Sequence, residues 1–290
     1  MSAPTEPQSW LGWSGMTHRG KVRSNNEDAF LALLFDGSQA HYLGKTGEAP
    51  ADSGDFVFAV SDGMGGANAG EFASRIAVEK ITRLMNRRFR PAADSPVAKF
   101  EDRLLELFTA IHRDLTSIGA SYEECRGMGA TLSLCWFTPQ WLHIAHVGDS
   151  RIYRMPAGGK LCQLSHDHSH VGWLRRSGRI SELEARVHPR RNALEQALGA
   201  GHQFLEPQIS TLEWNCGDRF LLCSDGIVEG LWDRRIGEIL GADAPLGGLA
   251  PTLVTEAVAI SGRDNATAVV IGALKNPESK GKSVKGTVSK

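Results

Sequence analysis

An apolar run ending in Ser-Asp-Gly occurs twice in this chain, as Phe58-Ala-Val-Ser61-Asp62-Gly63 and as Leu221-Leu-Cys-Ser224-Asp225-Gly226. A third apolar run ends in Val147-Gly148-Asp149-Ser150, and a fourth begins directly after Asp264-Asn265. Glu27 and Asp28 open a fifth. Paired strands lie side by side, so acids at their ends converge on one edge of a sheet or sandwich. Carboxylates gathered in that way cannot all stay ionised without a compensating cation. The donors are all oxygen, with no cysteine or histidine at metal-ligand spacing, which selects a hard divalent ion such as Mg²⁺ or Mn²⁺. Two such ions about 3.5–4 Å apart acidify a bridging water and stabilise in-line displacement at phosphorus. Asp62 suits the bridging place, because one carboxylate offers an oxygen to each ion. Gly63-Met64-Gly65-Gly66 lets the backbone come close to an ion and frees a carbonyl. Arg23, just before Glu27-Asp28, can grip two phosphate oxygens with its planar fork. A lone Asp-Gly after a strand is more often a turn, and a turn is likewise expected at Asp218-Arg219, so the combination carries the reading.

Apolar runs of strand length fall at Trp10–Met16, Ala29–Phe35, Phe56–Val60, Thr131–Phe137, Trp141–Val147, Arg219–Cys223 and Ala266–Ile271. Phe56–Val60 is apolar at every position, which predicts cover on both faces. Trp141–His146 alternates, which predicts a half-buried strand. Ala73, Ile76, Ala77, Ile81, Leu84 and Met85 form one helical stripe, and Phe100, Leu104, Leu107, Phe108, Ile111, Leu115 and Ile118 a second. A third helix is expected over Leu246–Ile260. Consecutive helices set between runs of strands favour α+β layers with antiparallel sheets over a doubly wound parallel sheet. Asp36–Gly54 reads as a surface loop, and His166–Asn192 as a small polar, helical excursion.

The formal charge of −1 over 290 residues argues against nucleic acid as the main partner. Five scattered cysteines match neither a zinc spacing nor a disulfide framework, so reduced thiols are expected. No apolar run is long enough to span a bilayer, and Met1–Gln8 lacks the pattern of a signal peptide, so a cytoplasmic protein without membrane insertion is expected. Residues 1–8 read as an N-terminal extension and 275–290 as a disordered basic tail. Gly281-Lys282-Ser283 lacks the rest of a phosphate-binding loop and is set aside.

Arg23-Ser-Asn-Asn-Glu27-Asp28, Val60-Ser-Asp62-Gly63-Met-Gly-Gly66, Gly129-Ala-Thr131, Val147-Gly-Asp149-Ser-Arg151, Leu222-Cys-Ser-Asp225-Gly226 and Gly262-Arg-Asp264-Asn265 occur in that order. Together they resemble the type-2C metal-dependent protein phosphatases (PPM family) in their compact bacterial form, over about Trp10 to Leu274. The resemblance implies a four-layer α-β-β-α sandwich, two central antiparallel sheets flanked by helix pairs, in a phosphatase domain spanning 9–274 with a flap at about 166–192. It implies hydrolysis of phosphoserine and phosphothreonine by attack of a water that bridges two Mn²⁺ or Mg²⁺ ions. In that scheme Asp62 bridges both ions, the Gly63 carbonyl binds one, and Asp225 and Asp264 hold the other. Glu27 and Asp28 act mainly through coordinated waters, Asp149 helps bind a third ion, Arg23 binds phosphate, and Asn265 orients a neighbour. The implied partners are phosphorylated proteins, a Ser/Thr kinase and its substrates. Met64 stands where some relatives carry a histidine proposed as general acid, which leaves a metal-bound water as the proton donor. His166, His168 and His170 fall in the flap region and are expected to be solvent-exposed flap residues, not ligands. Arg175, Arg176, Arg179, Arg190 and Arg191 read equally as a phosphopeptide contact and as a solvated basic face. Two other readings stay open: a hydrolase of small phosphoesters, and a non-catalytic phosphatase-like binding module.

Overall fold

Phe56 to Val60 has no solvent exposure at any position, and its alternate residues enter different cores. Val57 and Ala59 face a helical layer, while Phe56, Phe58 and Val60 face a second sheet. The period of two along one strand is therefore also the boundary between two apolar layers. A computed structural model describes residues 9–65, 69–88, 98–202 and 204–276. The expected extension at 1–8, the tail beyond Asn276 and Gly66 lie outside the described residues, as does the side chain of Met85.

The first five strands are β1 (Ser9–His18), β2 (Asp28–Phe35), β3 (Ala40–Tyr42), β4 (Thr46–Pro50) and β5 (Asp55–Met64). Helices α1 (Ala69–Arg88) and α2 (Ala98–Ser121) follow in succession. Next come β6 (Gly129–Ala130), β7 (Leu132–Phe137), β8 (Trp141–Val147), β9 (Arg151–Met155) and β10 (Cys162–Gln163). Short helices α3 (His170–Arg176) and α4 (Glu182–Val187) form the excursion. The chain then runs through β11 (Leu198–Gly199), β12 (Gln208–Glu213) and β13 (Arg219–Cys223). It closes with α5 (Asp225–Gly230), α6 (Asp233–Gly241), α7 (Leu249–Ile260) and β14 (Ala266–Lys275).

One sheet has the order β10-β9-β13-β14-β1-β4, and its ladders are antiparallel. The other runs β3-β2-β5-β7-β8-β12, and β6 with β11 extends it beside the far end of β5. Helices α1 and α2 bury Ile81, Leu104, Phe108 and Ile111 against the larger sheet. Between the sheets, Phe58, Phe137 and Phe220 meet edge to face, with centroids 6.0 Å and 5.3 Å apart. Each such fully buried ring contributes about 1.5–3 kcal/mol relative to exposure. Behind the smaller sheet, Leu221 and Val270 pack on Ile236, Leu240, Leu253 and Val254 of α6 and α7. The layers are helix, sheet, sheet, helix.

The structure departs from the sequence reading in particular places. The outer layer behind the smaller sheet holds α7 with the two short helices α5 and α6, not a simple pair. α7 begins at Leu249, after a 3₁₀ turn over Leu246–Gly248. The segment expected as a loop, Asp36–Gly54, contributes β3 and β4. A Cβ on Gly47 of β4 would lie 2.4 Å from the Trp13 ring, so the glycine there lets an edge strand pass over an indole. Strand β8 is buried from Leu142 to Val147, not half-buried. His143 and His146, three residues apart and so on opposite faces of the strand, are 1% and 0% exposed. His143 meets Thr211 Oγ1 at 2.8 Å and stacks on Phe100, while His146 meets Ser133 Oγ at 2.9 Å. β14 continues through Lys275, one residue into the expected tail.

Candidate active site

The strand ends meet around a cavity of about 340 Å³ lined by Arg23, Glu27, Asp62, Gly63, Asp149, Asp225 and Asp264, with Thr131 and Asn192 among its other walls. Asp62 does not follow its strand but lies within β5, directly opposite Asp28 of β2 in the antiparallel register. Like charges set opposite one another oppose strand pairing, so this pairing is informative. Thr131, at the junction of β6 and β7, holds the Asp62 backbone: its hydroxyl accepts from the Asp62 N–H at 3.0 Å, and its N–H donates to the Asp62 carbonyl at 2.8 Å. Asp149 follows Gly148, whose φ of +110° and approach to Thr131 (2.6 Å for an added Cβ) both require glycine. Asp225 is the first residue of α5, and Asp264 sits just before β14.

Arg23 and Glu27 arrive on the β1–β2 loop, which Asn265 stitches in place. The Asn265 side chain accepts from the Glu27 N–H at 2.7 Å and donates to the carbonyls of Arg19 and Asn25 at 2.8 and 3.0 Å. The two Ser-Asp-Gly glycines are fixed by crowding. A Cβ on Gly63 would lie 1.9 Å from the Gly70 carbonyl oxygen at the start of α1, and one on Gly226 would lie 1.9 Å from that of Asn265.

The electrostatics are those of an acid cluster short of positive charge. Burial, then the charges of Asp28, Asp225, Asp149 and Asp264, hold the Asp62 carboxyl well above the usual range. Burial, followed by Asp149 and Asp264, does the same to Asp225. Asp149 is pushed up to about 7, first by burial and then by Asp167, against the pull of Arg151. Burial raises Asp28 to about 6 although hydroxyls of Thr267 and Ser224 bond to it. Glu27 also rises, through burial. Arg23 donates to Asp264 at 2.6 Å and is the cation nearest to hand.

The donor set fits divalent ions. Asp28 Oδ1 and Asp225 Oδ1 are buried and have no hydrogen-bond partner, a costly arrangement unless a cation faces them. Among the described residues no three His, Cys, Asp or Glu side chains are already drawn into a closed ion cage.

Every predicted site residue except Asp28 lines this cavity; Asp28 lies behind it, 8% exposed. Thr131, Ser224 and Thr267 carry no signal of a role in the sequence: of the three, only Ser224 stands in a motif that holds an acid. The histidines of the excursion do not form one exposed set. His166 is exposed, while the half-buried His168 accepts from the Gly148 N–H at 3.3 Å. Asp167 between them receives two guanidinium nitrogens of Arg151, at 2.9 and 2.7 Å.

A second cavity of about 320 Å³ adjoins the first, sharing Asp149, Asn192 and Asp225, and lies between the excursion and the body. The excursion is fastened there. Arg175 pairs with Asp233. Arg186 donates to the carbonyls of Glu229 (3.1 Å) and Leu231 and lies over the Trp232 ring.

The family model described as protein phosphatase 2C matches residues 45–243. The chain is 34% identical over 263 residues to the serine/threonine protein phosphatase PstP of Mycobacterium tuberculosis, covering 90% of this chain and 44% of that protein. It therefore spans under half the length of that relative. It is 31% identical over 256 residues to the serine/threonine phosphatase stp of Listeria monocytogenes, covering 88% of this chain and 93% of that one. The solved catalytic domain of PstP in complex with two manganese ions superposes with a TM-score of 0.69 at 30% identity, over 92% of this chain and all of the other.

Proposed function

Because the chain belongs to the protein phosphatase 2C family, we propose that it hydrolyses phosphoserine and phosphothreonine in other proteins, with two divalent metal ions held at the acid-lined cavity. The observation that carries this reading is the meeting of five acids with one guanidinium around the cavity, with Asp28 behind it, where buried oxygens of Asp28 and Asp225 lack any partner. Asp62 would reach both ions, the Gly63 carbonyl one of them, and Asp225 and Asp264 the other. Glu27 and Asp28 would act through water, and Asp149 would serve a third, looser ion. When bound, the ions supply the Lewis acidity that brings water toward ionisation near neutral pH and balances charge on the phosphoryl group.

The residues of the chain supply position. Arg23, released from Asp264, would present two N–H donors to the phosphoryl oxygens and fix the phosphorus in line with the attacking water. Thr131 and the α1 backbone hold Asp62 and Gly63 so that the bridging carboxylate does not drift. Met64 lines the cavity and offers no proton, so water is the donor to the leaving oxygen. Mn²⁺ suits the site on the strength of the relative that holds it, and Mg²⁺ on donor chemistry. No helix among the described residues is long and apolar enough to cross a membrane, and we assign the protein to the cytoplasm, opposing a Ser/Thr kinase.

The test is turnover of a phosphothreonine peptide by purified protein with Mn²⁺, with chelator, and after Asp62→Asn. Metal-dependent release of phosphate that the substitution abolishes is expected. No metal-dependent release from the wild type would overturn the reading.

A further inference from the structure

Asp28 is held by more polar contacts than a residue behind the cavity wall needs. Its Oδ2 accepts from Ser224 Oγ at 2.7 Å and from Thr267 Oγ1 at 2.6 Å, and both donors are fully buried. Ser224 Oγ in turn accepts from the Thr267 N–H at 3.0 Å. Thr267 Oγ1 also lies 2.7 Å from Thr17 Oγ1, which accepts from the Asn26 amide at 2.8 Å. The amide nitrogen can only donate, and an ionised carboxylate can only accept. The direction of the relay is thus fixed: Asn26 to Thr17, Thr17 to Thr267, Thr267 to Asp28. Each hydroxyl gives its one proton toward Asp28, so the arrangement is fully satisfied when that carboxylate carries its charge.

The geometry divides the two oxygens of Asp28. Oδ2 belongs to the protein, while Oδ1 is buried without a partner. The two donors also join the segments that carry other acids: Ser224 precedes Asp225, and Thr267 stands three residues after Asp264. One carboxylate oxygen therefore ties β2, the β13–α5 junction and β14 together at the rear of the cavity.

We propose that Ser224 and Thr267 are positioning residues that clamp Asp28 Oδ2, leave Oδ1 alone to serve the ions, and so set the affinity of the ion centre. The assignment rests on the two-ion reading above. It predicts that removing one hydroxyl frees the carboxylate to rotate and turn Oδ1 away, at a cost in metal binding that a merely structural hydroxyl would not show.

The experiment is calorimetric titration of Mn²⁺ into the chelator-treated chain, with a denaturant melt of each metal-free variant alongside. Thr267→Val and Ser224→Ala are each expected to weaken Mn²⁺ binding by about 10–100-fold, the usual effect of losing a group that orients a ligand. Thr267→Ser, which keeps the hydroxyl, is expected to restore wild-type binding. Should Thr267→Val not fold, Ser224→Ala and the more distant Thr17→Val carry the test, the latter with a smaller loss. Unchanged Mn²⁺ affinity in folded variants, with only the melt lowered, would overturn the clamp and leave the phosphatase reading standing. Failure of the wild type to bind Mn²⁺ would overturn both.

Discussion

The two Ser-Asp-Gly corners use the same three residues in different backbone settings. Ser61-Asp62-Gly63 lies inside β5, and its hydrogen bonds go sideways: Ser61 Oγ donates to the Thr131 carbonyl at 2.6 Å. Ser224-Asp225-Gly226 closes β13 and opens α5, and its serine donates to another acid, Asp28. In both, glycine is demanded by a carbonyl oxygen pressed against its α-carbon, from Gly70 in one and Asn265 in the other. The tripeptide therefore does not encode a turn. It encodes a carboxylate carried where two stretches of backbone touch, with a serine free to bond whatever lies behind. At the first corner that is backbone, and at the second it is part of the proposed ion site.

The largest expected effect separates the aspartates. Asp62→Asn should lower kcat by about a thousandfold or more, since it removes the proposed bridge and several kcal/mol of charge stabilisation. Asp225→Asn should fall less and recover part of its rate at high Mn²⁺; equal, unrecoverable losses would break the distinction between the corners. Next come the glycines. Gly63→Ala and Gly226→Ala should each destabilise the fold by about 1–3 kcal/mol, as overpacking against backbone does, read as a lower urea midpoint. A neutral result at either corner would show that its crowding is easily relieved.

Smaller and more selective is the serine pair. Ser61→Ala should cost about 1 kcal/mol of stability through a lost buried hydrogen bond and leave Mn²⁺ affinity alone, the reverse of the expectation for Ser224→Ala. The pH response is the gentlest test. Asp28 and Asp149 titrate near 6 and 7 in the folded protein, against an ordinary value of 3.8. The folded state then binds more protons than the unfolded between those values, so these groups stabilise fully below about 4 and lose that contribution as pH rises through 6 to 7. Metal-free protein should therefore lose stability over that interval, and saturating Mn²⁺ should suppress the loss. Melts at several pH values, with and without the ion, would show it.

Much of this was legible in the residues themselves. The spans Trp141–Val147 and Arg219–Cys223 coincide with β8 and β13, and five of the six acids line one cavity, with Asp28 behind it. What was hidden has physical causes. β3 and β4 are short edge strands, and Gly47 and Pro50 make β4 look like a loop, although Gly47 is there because the Trp13 ring lies against it. His143 and His146 are polar residues in a strand that is nonetheless buried, because their ring nitrogens meet Thr211 and Ser133 inside the protein. The hydroxyls behind Asp28 gave no periodic signal, since a serine and a threonine at full burial matter only through partners distant in sequence.

Arg186 gives the excursion a mechanical hold on the site. It occupies carbonyls at the end of α5, a helix of six residues whose first is Asp225. So short a segment has little helical stability of its own. Its place comes from tertiary contact instead: Ile227 is buried in the core behind the smaller sheet, and the Arg186 guanidinium ties the carbonyls at its end to α4.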